Sequence, residues 1–297
     1  MISPTLIARV FGGHGNQLFI YANARALSLR ANARLLIDVR TGFPNDPYKR
    51  SLCLQHFNVS YEPAGRLASF EFPLGRAVRK GLREVNQRVA RFNYLTERDY
   101  RTFDRTIFQA PVARPTWIEG YWQSPRYFED ARETLLRDLT FRTALSEKSV
   151  AFARSIAREG NHAVALHARR LRNQLVGEEN AKIKSLGLNY YEAAVTEILR
   201  RDPDAHFFCF SDDPAWLEAN LKLPGKSTFV SHNAGDDRGH EDFWLMTQCK
   251  HFVISNSTFA WWPAWLGEST NKNVIAPELR FWDSQEILPS EWTVLKS

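Results

Sequence analysis

The chain of 297 residues is long enough for two domains of ordinary size or one large one. Its 44% hydrophobic and 13% aromatic content can fill real cores, which excludes wholesale disorder, and it has no run of about eighteen apolar residues to span a membrane. With 39 basic and 33 acidic residues the net charge is +6, which points to an anionic partner: a nucleotide, a phospholipid surface or a nucleic acid. Cys53, Cys209 and Cys249 are odd in number and far apart, as expected of reduced thiols in a cytoplasmic protein; they form neither a disulfide framework nor a zinc spacing. The N-terminal MISPTLIARVF lacks the charged start, apolar core and cleavage site of a signal peptide.

Residues 5–11 (TLIARVF) read as a compact apolar strand running into Gly12-Gly13-His14-Gly15-Asn16-Gln17. Leu18, Tyr21, Ala22, Ala26 and Leu29 then recur at helical spacing, and residues 34–39 (RLLIDV) form the next strand. Strand, glycine turn, helix and strand make the unit of an open α/β sheet. The glycines let the backbone approach a ligand and the helix start offers N–H donors; the spacing differs from GxGxxG, so no dinucleotide cofactor is implied.

From residue 41 to about 114 the pattern loosens, as in a variable region where an acceptor docks. Between Arg76 and Arg105 lie Arg79, Lys80, Arg83, Arg88, Arg91, Arg98 and Arg101, and Leu74, Ala77, Val78 and Leu82 fall at helical spacing. The segment predicts a basic amphipathic helix, whose charged face is either solvated or rests on an anionic bilayer. Residues 117–124 (WIEGYWQS) form an aromatic-rich strand end. Tyr121 and Trp122 beside Glu119 and Gln123 suit a sugar ring, or equally a core strand with hydrogen-bonded ring tips. Residues 127–139 predict a helix, and the polar stretch 141–149 marks a boundary between domains 1–150 and 151–297.

The second half alternates more cleanly. Strands are expected at residues 163–167, 206–210, 252–255 and finally 273–276, and helices at 150–158, 189–201 (capped by Asn189), 214–221 and 241–249, with another carrying Phe259, Trp261, Trp262 and Trp265. Residues 171–188 read as a polar loop. This alternation implies a parallel, doubly wound sheet whose ligand lies beyond the carboxyl ends of the strands. Three polar clusters sit at those ends: His167-Ala168-Arg169-Arg170, Ser211-Asp212-Asp213 and Asn256-Ser257-Thr258. Arginine stays protonated and its planar fork suits phosphate oxygens, so the first cluster can hold a diphosphate and absorb the charge that appears when it leaves. The paired aspartates admit a Mg²⁺ reading, which the arginines make unnecessary.

With these clusters in order, the chain resembles the α-1,2-fucosyltransferases of glycosyltransferase family 11. The stretches that carry the resemblance are GGHGNQLFIY (12–21), GYWQSPRYF (120–128), HARR (167–170), FSDD (210–213) and EDFWLMTQCKHFVISNSTFAWWPAWL (241–266). It implies an α/β GT-B architecture, two Rossmann-like domains facing across a cleft, the N-terminal one receiving a galactoside acceptor and the C-terminal one holding GDP-fucose. It further implies an inverting enzyme without metal or other cofactor. Arg169 and His167 would contact the diphosphate, with Arg170 beside them. Ser211, Asp212 and Asp213 would lie near the guanosine, and Asn256, Ser257, Thr258 and Phe259 would line the phosphates. Gly15, Asn16 and Gln17 would face the donor from the other domain. Glu119, Tyr121, Trp122 and Gln123 are the expected acceptor residues.

Two departures from the family pattern stand out. The arginine motif, which generally continues to an acid, here reads Arg169-Arg170-Leu171-Arg172, and His14 replaces an apolar residue in the glycine turn. His14 adds a titratable group suited to proton transfer near neutrality. Asp38 and Glu119, each at a strand end, are the other candidates for the base, and for each of the three a turn or cap hydrogen bond is a commoner role than catalysis. The resemblance and the missing anchor place the enzyme in a bacterial cytoplasm, at surface-polysaccharide synthesis of the O-antigen type, with a lipid-linked acceptor and a peripheral contact at the inner membrane face kept open. Three alternatives remain: another GDP-linked deoxysugar as donor, a sugar-binding module, and a non-enzymatic nucleic-acid-binding protein. The last is disfavoured because no face interleaves basic and aromatic residues.

Overall fold

The computed structural model describes residues 4–46, 48–89, 93–112, 114–170, 186–233, 238–269 and 271–296. Arg91, Arg172 and most of the polar loop after Arg170 lie outside the described residues. The chain forms two compact units, Met1–Thr143 with Ser284–Ile287, and Ala144–Asp283 with Leu288–Ser297.

The first unit is built on β1 (Thr5–Arg9), β2 (Arg34–Asp38), β3 (Glu62–Pro63), β4 (Tyr94–Thr96) and β5 (Thr116–Glu119), all parallel in the order β3-β2-β1-β5-β4. In the central strand β1, Leu6, Ile7 and Ala8 are all buried, because a parallel sheet covered on both faces takes a continuous apolar run. Ala8 pairs with Ile37 on one side and Ile118 on the other. Helix α1 (His14–Arg30) follows the glycine turn and is buried at every position from Gln17 to Ala24. Its buried Tyr21 donates to Asp138 (2.7 Å), which also accepts from Arg25 Nε (2.8 Å). Helices α2 (Gly75–Val89), α3 (Arg105–Phe108) and α4 (Arg132–Asp138) complete the unit. Residues 284–287 are tied to it by Arg126 Nη1 to Glu286 (2.7 Å) and by the Gln285 N–H to the Arg101 carbonyl (2.8 Å).

The second unit holds β6 (Ala163–Ala168), β7 (His206–Ser211), β8 (Lys226–Phe229), β9 (His251–Val253), β10 (Val274–Pro277) and β11 (Thr293–Leu295). They are parallel in the order β11-β10-β9-β6-β7-β8, with helices α5 (Glu147–Glu159), α6 (Leu188–Arg201), α7 (Pro214–Asn220), α8 (Gly239–Thr247) and α9 (Thr258–Leu266). Strand β6 comes first in the chain yet lies between β7 and β9, so strand order reverses beside it. At such a switch point a crevice opens beyond the carboxyl ends of the strands. Val164 and Leu166 of β6 pack with Phe207, Tyr190 and Ile198 in one core, and the buried Tyr190 hydroxyl donates to the Ile254 carbonyl (2.7 Å).

Three sequence expectations are corrected. The helix over residues 127–139 is broken into 3-10 turns, Pro125–Tyr127 and Glu129–Ala131, ahead of α4; Phe128 between them leaves helical geometry (φ −143°, ψ 9°) and is fully buried. Gly187, not Asn189, occupies the N-cap of α6, since Asn189 already lies inside the helix. The last strand is β11, three residues at the sheet edge with too little apolar pattern to register.

Candidate active site

In the second unit the three polar clusters emerge at the carboxyl ends of three adjacent strands, β9, β6 and β7. His167 is nearly buried at 6% exposure; its Nδ1 pairs with Ser255 Oγ (2.8 Å) across the switch point, and its ring packs 5.6 Å from Phe259. Burial, with the Arg169 charge added, pushes its pKa down to about 4, although the Asp212 carboxylate pulls the other way. The sequence suggested a cluster of positive charge that includes this histidine; the fold makes it a neutral hydrogen-bonding group and leaves the charge to the arginines.

The unfolded imidazole takes a proton near pH 6.5, the folded one only near pH 4. Across that interval the unfolded state binds more protons, so native stability is complete above about pH 6.5 and falls as pH drops toward 4. NMR titration of the His167 ring should show no protonation between pH 8 and 5.5; a midpoint near 6.5 would contradict the burial argument.

Arg169 directly follows β6. Next to it the Arg170 N–H donates to Asp212 Oδ1 (2.6 Å), while the Arg170 guanidinium lies 3.7 Å over the Trp216 ring. Asp213 is the N-cap of α7, accepting from the Trp216 N–H (3.1 Å), and the Ser211 hydroxyl accepts from the Asp213 N–H (3.0 Å). Both aspartates of the pair are thus engaged in shaping the sheet edge. Ser257 is the N-cap of the nine-residue α9 and makes no side-chain cap bond; the first turn carries no acidic residue. Asn256, Thr258 and Phe259 are half-buried around it. A helix start that follows β9, the strand next to the one that delivers Arg169, is an anion-binding arrangement.

The first unit forms a second centre at the carboxyl ends of β1, β2 and β5. Gly12 turns the chain at φ +81°, and a Cβ there would meet the Tyr121 ring at 3.2 Å. Gly42 packs against the Val10 carbonyl so closely that a Cβ would lie 1.9 Å from it. Gln17 is fully buried: its amide donates to the carbonyls of Gly12 (2.9 Å) and Ser51 (2.8 Å) and accepts from the Cys53 N–H (2.8 Å). Expected to face a donor, it instead stitches the glycine turn in place, because three backbone groups engage its amide, both N–H donors included. His14 and Gly15 begin α1, His14 half-buried. Asn16 accepts from Gln123 (2.9 Å), so a residue assigned to the donor and one assigned to the acceptor share one bond.

Trp122 is wholly buried with φ +59°, edge-on to Tyr127 at 5.6 Å, so it serves the core and offers no sugar platform. Tyr121 packs 4.9 Å from Phe11 and lines a cavity of about 350 Å³. Glu119, also on its wall, accepts from Arg9 (3.0 Å) and from the Tyr94 hydroxyl. Asp38 accepts from the N–H groups of Arg40 (3.1 Å) and Thr41 (3.0 Å) and from the Thr41 hydroxyl. These two base candidates therefore act as hydrogen-bond acceptors for their surroundings.

Sequence reading missed Glu97, whose carboxylate receives the N–H groups of Tyr121 (2.7 Å) and Trp122 (2.9 Å); burial raises its pKa. Nothing in the one-dimensional pattern around β4 marks it. It also missed that the basic face of α2 (Arg76, Arg79, Lys80 and Arg83) lines the cavity. The i, i+3, i+4, i+7 spacing was the available signal.

The three cysteines are free and buried, and among the described residues no helix is long and apolar enough to cross a membrane. The chain is similar to an alpha-1,2-colitosyltransferase of Escherichia coli, 28% identical over 97% of each chain. It is also similar to the O-antigen biosynthesis glycosyltransferase WbnK of Escherichia coli, 26% identical over 91% of this chain and 93% of the relative. The fold is similar to that of NodZ alpha-1,6-fucosyltransferase soaked with GDP-fucose, with TM-score 0.51, 16% identity, and coverage of 89% and 92% of the two chains. Two parallel-sheet α/β units of this kind are the GT-B architecture. The family profile described as glycosyl transferase family 11 matches residues 76–296. Spanning all three polar clusters and most of the length, that match makes the chain a member of glycosyltransferase family 11.

Proposed function

We propose that this glycosyltransferase is an inverting, metal-independent galactoside α-1,2-fucosyltransferase, with GDP-fucose held on residues 151–297 and the galactoside acceptor received on residues 1–150. The observation that carries the reading is the placement of Arg169 and the α9 start together at the strand-order reversal of the second unit. In the reaction the acceptor 2-oxygen bonds to fucose C1 as the bond from C1 to the β-phosphate oxygen breaks on the opposite face. The hydroxyl proton goes to a base, for which His14 is the assigned group, and negative charge gathers on departing GDP. Arg169 and the positive end of α9, which begins at Thr258, neutralise that charge without a divalent ion. Uncharged His167 contributes a hydrogen bond and holds Ser255 in place.

The full-length likeness to a colitosyltransferase favours a second reading, transfer of another GDP-linked deoxysugar such as colitose. The likeness to WbnK supports a role in O-antigen synthesis. The proposal includes a cytoplasmic enzyme working on a lipid-linked acceptor at the inner membrane face; the exposed leucines Leu67 (81%) and Leu74 (80%) are the apolar groups that support it.

The test supplies the purified chain with GDP-fucose or GDP-colitose and a galactose-terminated oligosaccharide, with product linkage assigned by NMR. An α-1,2-linked product formed at the same rate in EDTA is expected. No transfer from either donor, or loss in EDTA restored by magnesium, would overturn the reading.

A further inference from the structure

The cavity of the first unit has a charge balance that a neutral galactoside does not call for. Five cationic side chains line it, Arg9, Arg76, Arg79, Lys80 and Arg83, against two carboxylates, Asp46 and Glu119. Both carboxylates are occupied. Asp46 accepts from the N–H groups of Tyr48 (2.9 Å) and Arg50 (3.2 Å) and from the Arg50 guanidinium (3.3 Å), and Glu119 is held by Arg9 and Tyr94.

The floor is built around one hydroxyl. Thr41 Oγ1 accepts from Arg9 Nε (3.2 Å) and Arg79 Nη1 (2.7 Å) while donating to Asp38, so two guanidinium groups are locked side by side. Arg79 is 9% exposed, with Asp38 3.6 Å behind it. Its pKa is lowered by burial and then by the neighbouring Arg9, against the opposing pull of Glu119 and Asp38. Above this floor Arg76, Lys80 and Arg83 form an exposed ridge on successive turns of α2, with Tyr121 on the opposite strand end. Fixed arginines at the base, exposed cations at the rim (Lys80 3.9 Å from Glu84 and Arg83 4.0 Å from Glu119) and an aromatic wall suit a sugar that carries an anion.

We infer that this cavity binds an acidic saccharide through its carboxylate or phosphate, seated on Arg9 and Arg79 and enclosed by Arg76, Lys80 and Arg83. The inference rests on the reading above that the first unit receives the acceptor, and it names the acceptor's class: a glycan with an acidic residue or a sugar phosphate near its reactive end. The basic ridge of α2 then faces substrate, not a lipid surface.

The experiment titrates the full chain, followed by NMR, with galacturonate, galactose 6-phosphate, neutral galactose and inorganic phosphate, before and after saturation with GDP. GDP binding is read first, so a chain that fails to bind GDP refutes the donor reading separately from the acidic-sugar inference. One or both acidic sugars should bind about tenfold more tightly than galactose at low salt, with an advantage that shrinks as salt is added. Whichever of the two binds better identifies the anion. Shifts should centre on Thr41, Arg79 and Tyr121. The double variant Arg76→Gln, Arg83→Gln, both at exposed positions, should weaken acidic-sugar binding severalfold and leave galactose unchanged, because the Arg9–Arg79 floor remains. Equal affinity for galactose, an unaffected double variant, or inorganic phosphate matching galactose 6-phosphate would overturn the inference. So would binding to phosphatidylglycerol vesicles that the double variant abolishes while sugars show no charge preference.

Discussion

Replacing Arg169 by alanine is expected to slow sugar transfer by about a hundredfold, roughly 3 kcal/mol of barrier, the usual cost of losing one donor to a developing oxyanion. The position explains the magnitude. Arg169 directly follows β6, a strand buried at all six residues and bonded to a neighbour on each side, so the site's backbone is held by the sheet core. A guanidinium delivered from such a strand meets the transition state with little reorganisation. The measurement is kcat/KM for transfer alongside the thermal transition: the first should collapse and the second stay near wild type. Arg169→Lys should recover part of the rate, because charge returns without the planar fork. Turnover within a few-fold of wild type for the alanine variant would remove Arg169 from the mechanism.

Gln17→Ala should unfold the first unit at much lower denaturant, with a loss of about 4 kcal/mol. The substitution leaves the carbonyls of Gly12 and Ser51 and the N–H of Cys53 without their buried partner, at about 1–3 kcal/mol each, and opens a void. Gln17→Glu should be nearly as damaging: the carboxylate still accepts from Cys53 but donates to neither carbonyl. Equilibrium urea unfolding followed by fluorescence reads the effect. A wild-type midpoint for both variants would return Gln17 to the ligand-facing role its place in the glycine turn first suggested.

The two outcomes expose how differently the two sites are encoded. The clusters of the second unit could be read along the chain because each directly follows a strand; once the alternation of strand and helix is recognised, the strand ends follow from parallel topology. Chain order does not state which cluster neighbours which. Pairing of β6 with both β7 and β9 brings His167 against Ser255, 88 positions later, and turns the ring into a neutral partner by burying it. In the first unit the same kind of motif misleads. Trp122 and Gln17 belong to the most suggestive stretches, yet both are consumed by the core, while Arg79 and Thr41 carry no motif and make the floor of the cavity. A side chain's chemistry is printed in the chain; whether its polar atoms meet water, ligand or backbone is not.

Local pattern was sufficient for the α/β class, the glycine turn into α1 and the polar clusters at strand ends, because apolar periodicity and residue type act over a few neighbouring positions; the family rested on the resemblance of whole stretches between residues 12 and 266. Folding in three dimensions decided the return of residues 284–287 to the first unit, the edge strand β11, the neutral state of His167, and the orientation of the α2 arginines toward a cavity. Each of these depends on contacts between residues far apart in the chain, and on burial, which sets both the direction of a pKa shift and the partner a polar atom must take.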